Sequence, residues 1–301
     1  LAVVAALGTA APPAVATEVP VFDGERAMAW LVAQTDLGPR PPGSEAIGEL
    51  REMITGLAAE HGLRSVSLCF AAESPLTGET VEICNLIVSA GPPGGDRLWL
   101  GAHYDTRPVA DRDPDHAKRS QPILGANDGA SGVAVLLHLM EILGRNPPPT
   151  GVDLIFFDGE DSGVPGDVRS FCLGSARLAA TRGDFGNPLA EGRTRGLVLL
   201  DMVGRHDLAI RQEIYSLRAA PELLNRVFDR AAGLGLDAFI PEPGPAVFDD
   251  HVPFLEAGIP AINLIDFDYP HWHTLGDRPE ACSPESLGQV GRLVTDLVYR
   301  P

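Results

Sequence analysis

Apolar residues follow two periods along this chain. Ile47, Leu50, Ile54, Leu57 and Ala58 recur at three- and four-residue steps, which places them on one face of a helix over Ser44–His61. Ala27–Gln34, Ala130–Leu143, Pro221–Ala232 and Val252–Ala257 read as further helices, and a helix starts in Gly174–Ala180. Ser283–Tyr299 reads as a closing helix, with Ser283 as its N-cap ahead of Pro284. Arg97–Ala102, Val152–Phe157 and Leu197–Leu200 are short apolar runs, the pattern of strands buried on both faces. Ile259–Ile265 is a further strand, and Arg64–Phe70 and Thr80–Ser89 read as two strands around a polar turn. Asp111–Gln121, charged and carrying Pro114, reads as a surface loop. Asn146–Gly151 is a proline-rich turn, and Ser162–Ser170 a mobile loop. Strands alternate with helices, so the pattern predicts an α/β fold with a largely parallel sheet. No repeat or strong linker divides it, and one domain over residues 19–301 is expected.

The chemistry sits where the apolar runs stop. His103 follows Arg97–Ala102, Glu160 and Asp161 follow the run ending at Phe157, and Asp201 follows Leu200. An open parallel sheet binds its ligands outside the carboxyl ends of the strands, so the sheet would gather these residues on one edge. Adjacent acids after a buried strand are costly unless something positive lies there. A metal accounts for Asp161 and a proton shuttle for Glu160. Asp128 stands among small residues in Gly125-Ala126-Asn127-Asp128-Gly129-Ala130-Ser131-Gly132, at the mouth of a helix. Alone it would read as an N-cap; among the other motifs it reads as a ligand able to bridge two metals. Trp272-His273 adds an imidazole beside an aromatic ring, and Asp105 is placed to fix the tautomer of His103. His251 and His271 lie near the same motifs without a clear assignment.

Composition narrows the partners. The net charge is −18 and, of 23 basic residues, only Lys118 is a lysine. This balance argues against nucleic acid and anionic membrane, which need basic patches. Leu1–Ala16 is apolar and small and ends Ala14-Val15-Ala16, which matches the core and cleavage site of a secretory signal. Residues 1–18 are therefore expected to be a signal remnant or a disordered tail. The mature protein would be exported: periplasmic, secreted or tethered at its N-terminus. No later apolar run is long enough to span a bilayer. The four cysteines form no Cys-x-x-Cys pair, so a thiolate zinc site is not indicated. Cys69 and Cys84 could meet across a hairpin, or all four could be buried free thiols.

Together these motifs resemble the zinc aminopeptidase and glutaminyl cyclase superfamily, from about Asn85 to the last helix. The resemblance implies a three-layer αβα sandwich around a mixed, largely parallel sheet. In the aminopeptidase branch, residues matching His103, Asp128, Asp161, Asp201 and His273 hold two zincs, and the residue matching Glu160 is the base. In the cyclase branch one zinc is held by the matches of Asp128, Asp161 and His273. Glu160, Asp201 and Asp249 then match the residues that handle protons. Asp249 stands where aminopeptidases often have Ser, and Trp272 directly before His273 matches a pocket tryptophan of the cyclases. The resemblance thus implies a zinc-dependent glutaminyl-peptide cyclotransferase acting on peptide or protein N-termini, with one zinc, or two if His103 and Asp201 hold a second. An aminopeptidase is the alternative. A binding module without catalysis would have no use for an uncoordinated Glu160. One departure bears on the pocket: animal cyclases carry a tryptophan in the loop after the paired acids, and Ser162–Ser170 has none.

Overall fold

The computed structural model describes residues 18–184 and 186–301. The signal-like segment Leu1–Ala16 lies outside the described residues. Eight strands are present among them: β1 Arg64–Glu73, β2 Thr80–Ala90, β3 Asp96–His103, β4 Gly151–Phe157, β5 Arg193–Asp201, β6 Ile210–Gln212, β7 Phe239–Pro243 and β8 Ala261–Ile265. The helices are α1 Gly24–Thr35, α2 Glu45–Glu60, α3 Ala130–Arg145, α4 Leu173–Thr181, α5 Ile214–Ala219, α6 Pro221–Gly233, α7 His251–Glu256 and α8 Pro284–Tyr299.

The main sheet has the order β1-β2-β4-β3-β5-β8. β4, β3, β5 and β8 pair in parallel, while β2 pairs antiparallel with both β1 and β4. Only β2 therefore runs against the rest, as a mixed, largely parallel sheet requires. Alternate residues feed two cores. Leu86, Leu100, Leu154, Phe156, Val198 and Leu200 pack on one face with α1, α2, α3, α6 and α8. Ile87, Trp99, Ile155, Phe157, Leu197 and Leu199 pack on the other, with α4 and α7. The central strands are buried on both faces, which explains their unbroken apolar runs. This is the expected three-layer αβα sandwich.

Caps set the helix starts. Asp23 accepts from the N–H groups of Glu25 and Arg26, Ser44 from Ile47 N, and Ser283 from Ser286 N. Several boundaries differ from the sequence reading. β1 continues to Glu73 because it stays paired with β2 through Glu73↔Thr80. β8 begins at Ala261 and α7 at His251. The two-stranded β6–β7 ribbon and α5 had no clear signal: β6 has three residues, and β7 carries Pro241 and Pro243, which disfavour a strand reading. Cys69 and Cys84 face each other in the β1–β2 register and form a disulfide, whereas Cys172 and Cys282 are buried free thiols.

Candidate metal centre

β3 and β5 are neighbours, yet the chain leaves β3 toward β4 on one side and β5 toward β8 on the other. Such a switch point opens a crevice at the carboxyl ends of the strands. His103 ends β3 and Asp201 ends β5, with His103 Nε2 3.2 Å from Asp201 Oδ1. Asp128 comes in from the start of α3, its Oδ1 3.2 Å from the same Nε2. Beyond it, His273 Nε2 lies 3.2 Å from Asp161 Oδ1 and 3.8 Å from Asp128 Oδ2. The result is two buried trios, His103–Asp128–Asp201 and Asp128–Asp161–His273, joined through one carboxylate. All five residues predicted as ligands are thus brought together.

Asp128 is not an N-cap. That position of α3 belongs to Gly129, at φ 104°, and no side chain caps the helix. A Cβ on Gly129 would stand 2.5 Å from Asp105 O, so only glycine lets the two loops close on each other. Asp105 also departs from its expected role. Its Oδ1 is 3.6 Å from His103 Nδ1, too long for a hydrogen bond. Instead it accepts from the backbone N–H groups of Glu160 and Asp161, both at 3.1 Å. It therefore fixes the backbone of the loop that carries the two acids.

Several supporting residues escaped the sequence reading. Asp277 does for Asp128 what Asp105 does for Asp161: it accepts from Asn127 N at 2.8 Å and Asp128 N at 3.1 Å, while Tyr269 Oη donates to it. Asp111, read as part of a surface loop, lies 3.1 Å from His273 Nδ1 and pairs with the buried Arg107. Arg107 also donates to Asp161 Oδ1 at 3.0 Å. The only sequence cue was the Arg107/Asp111 spacing of four residues. Such acids sit in loops and find their partners far along the chain.

The charges agree with a cation site. Burial pulls His273 down, but Asp161 and the Asp111 contact outweigh it and raise it to about 9. Burial likewise opposes the hydrogen bonds that hold His103 well above its ordinary value. Burial and repulsion from Asp161 push Asp128 up; His273 and Arg107 overcome burial to hold Asp161 down. Asp128 Oδ2 and Asp161 Oδ2 are both buried without a hydrogen-bond partner. Orphaned carboxylate oxygens cost free energy, and a divalent cation beside His273 Nε2 would satisfy both. One imidazole and two carboxylates suit zinc. The residues present fit the metal.

The two remaining acids lie beside these trios. Glu160 and Asp249 come within 4.8 Å of each other and of Cys172. Burial, then repulsion from neighbouring carboxylates, drives both acids well above their ordinary values. Asp249 accepts from Asn263 Nδ2 and from Asp250 N, each at 2.6 Å. Asp128, Asp161, Asp201 and His273 border, with both acids, a cavity of about 260 Å³. Trp272 lines it, its ring 4.0 Å from that of His273 and 4.9 Å from Phe267. Pro165, Gly166 and Val168 of the predicted loop close one side. His251 faces away, its Nε2 3.1 Å from the buried Glu213, and His271 is exposed.

The profile of peptidase family M28 matches residues 85–298. The chain belongs to peptidase family M28. A glutaminyl-peptide cyclotransferase-like protein of Mus musculus is 27% identical over 283 residues, covering 85% of this chain and 70% of that protein. A glutaminyl cyclase from Bacteroides thetaiotaomicron, solved with N-acetylhistamine, superposes with a TM-score of 0.88 at 32% identity, over 94% of this chain and 100% of that one. A leucine aminopeptidase precursor from the same species gives a TM-score of 0.87 at 33% identity, over 94% and 99%.

Proposed function

We propose that this protein is a zinc-dependent glutaminyl-peptide cyclotransferase, which converts an N-terminal glutamine to pyroglutamate with loss of ammonia. The observation that carries this reading is the buried pair Glu160–Asp249 beside the metal ligands, with Trp272 on the same cavity. The mouse relative and the Bacteroides glutaminyl cyclase named above support it. In the reaction the substrate's α-amine nitrogen bonds to its own side-chain amide carbon, and the bond from that carbon to the amide nitrogen breaks. Bound zinc, held by Asp128, Asp161 and His273, supplies Lewis acidity toward the side-chain carbonyl oxygen.

The protein's own groups do the rest. Glu160, kept basic by dry surroundings and negative neighbours, takes a proton from the amine and returns it to the departing ammonia. Asp249, locked by Asn263 and the Asp250 N–H, shares that proton with Glu160. Asp201 backs the network from the end of β5. Trp272 and Phe267 form an apolar wall for the glutamine methylenes. The cavity of about 260 Å³ has room for a glutamine side chain against this wall. The nucleophile is already tethered, so orientation supplies much of the acceleration.

Aminopeptidase action is the second reading. The shared Asp128 and the trio His103–Asp128–Asp201 favour it, since together the five ligands could hold two zincs. Mass spectrometry with an ammonia assay separates the two, using zinc-loaded protein with one Gln-initiated and one Leu-initiated peptide. Cyclisation gives loss of one ammonia from the first and leaves the second intact. Removal of the N-terminal residue from the Leu peptide would replace the cyclase reading by the peptidase one. Among the described residues no helix is long and apolar enough to cross a membrane. Export rests on Leu1–Ala16, and residues 19–301 make up one catalytic domain in this reading.

A further inference from the structure

Glu160, Cys172 and Asp249 form a third trio, separate from the ligand sets already described. Their donor atoms lie within 4.8 Å of one another, and Cys172 Sγ is 3.5 Å from Glu160 Oε1. Three elements converge to make it: the loop after β4, the first residue ahead of α4, and the turn before α7. Cys172 N donates to Glu160 O at 2.9 Å, which ties the thiol to the acid through the backbone. The thiol is fully buried and is the one hydrogen-bond contact made by the Glu160 carboxylate among the described residues. Asp250, also fully buried, accepts from Ser175 Oγ, which in turn contacts Cys172 O, and keeps Oδ2 without a partner. A buried carboxylate with one oxygen unpartnered, next in the chain to Asp249, adds to a setting of one thiol and two carboxylates that lacks positive charge.

We propose that Glu160, Cys172 and Asp249 bind a second, regulatory divalent cation of borderline softness, such as zinc present beyond the amount that fills the main site. Zinc takes thiolate at about 2.3 Å and carboxylate at about 2.0–2.2 Å, so neighbouring donors lie roughly 3.5 Å apart, as Cys172 and Glu160 already do. On binding, the thiol proton leaves to solvent and the sulfur becomes the ligand. Three protein donors leave room for water on the cavity side. A cation here occupies the Glu160 carboxylate, so that carboxylate no longer accepts the amine proton. Excess metal then inhibits; this consequence rests on Glu160 being the base, whereas the site itself does not.

Cobalt tests it, because cobalt(II) bound to a thiolate absorbs in the near ultraviolet and cobalt on imidazole and carboxylate does not. The main trios contain no sulfur, and Cys69–Cys84 is a disulfide. The full chain, first loaded with zinc, is titrated with cobalt(II) while near-ultraviolet absorbance, bound metal and ammonia release from a Gln peptide are followed. The expected result is a rise in absorbance with a parallel fall in turnover. Cys172→Ser and Cys172→Ala should lose the absorbance. The cobalt needed for half-inhibition should rise about tenfold or more, the scale on which even supporting groups change metal affinity. Cys282→Ser, which removes the other free thiol, should keep the absorbance. No absorbance in the unmodified protein, or its persistence in both Cys172 variants, overturns the site. Absorbance present with no ammonia release at any loading removes the cyclase reading and leaves the site standing.

Discussion

The floor of the cavity and its rim are built by different rules. On the floor Asp161 is 1% exposed, while on the rim Val168 is 55% exposed. Every floor ligand hangs from a strand end or from a loop whose N–H groups are pinned by a buried carboxylate. The rim is a proline- and glycine-bearing loop, an indole and side chains such as Arg112, which stacks over Trp272. A glutaminyl cyclase and an aminopeptidase precursor both superpose on this chain almost equally well, so backbone shape does not separate the two chemistries. In the proposed function, the separation lies in the acid pair between floor and rim and in what the rim admits. A rigid floor can thus serve either reaction, and a change in substrate needs no change in the sheet.

Glu160→Gln probes that boundary most strongly. Ammonia release should fall by about 10²–10⁴-fold while zinc content, read by mass spectrometry, stays at the wild-type level. Retained turnover would place the base elsewhere. Asp249→Ser should cost cyclisation less, about tenfold to a hundredfold, the scale seen for supporting groups, and should leave any peptidase side activity less affected. An unchanged ratio of the two activities would show that Asp249 does not set the chemistry. Asp277→Asn touches the floor alone. An amide cannot accept from two N–H groups through both of its ends, so unfolding free energy should drop by about 1–3 kcal/mol and zinc affinity by about tenfold. Denaturant titration and metal competition would measure the two losses.

The smallest effect on turnover is expected behind the cavity wall, at Glu213, which accepts from Val247 N at 3.1 Å. Burial opposes its ionisation, but His251 and the N–H groups of Ser216 and Tyr215 outweigh burial and hold it at about 2. An acid whose folded value is depressed stabilises the fold fully above its ordinary value, about 4.3, and loses that contribution as pH falls through about 2. Glu213→Gln should therefore lower stability at neutral pH and flatten the change in stability between about pH 4 and 2. Circular dichroism during acid titration checks it: two parallel curves would refute the role of the charge.

The same floor-and-rim division governs what could be read from the chain itself. Strands β3, β4 and β5 announce themselves as apolar runs because both their faces are covered. The residue that ends each run is then conspicuous, which is why His103, Glu160, Asp161 and Asp201 could be found. Asp277, Asp111, Asn263 and Glu213 could not, since each acts on a backbone or side chain that only the folded chain brings near. Asp105 shows the limit from the other direction. Its nearness to His103 in sequence suggested a contact, but the N–H groups of Glu160 and Asp161 hold it instead. Ribbon β6–β7 and helix α5 were hidden by brevity and by proline.

Only three non-glycine residues among those described have positive φ: Cys172, Met202 and His273. All three stand at the cavity or beside it, and such backbone states cost of order 1–3 kcal/mol each. All three side chains are buried, so the contacts they make at the site offset that backbone cost. The backbone at the cavity is thus held in a shape that local preference alone would not adopt. Consensus-style stabilisation of this protein should therefore leave Cys172, Met202 and His273 untouched and look to the helices on the far face of the sheet.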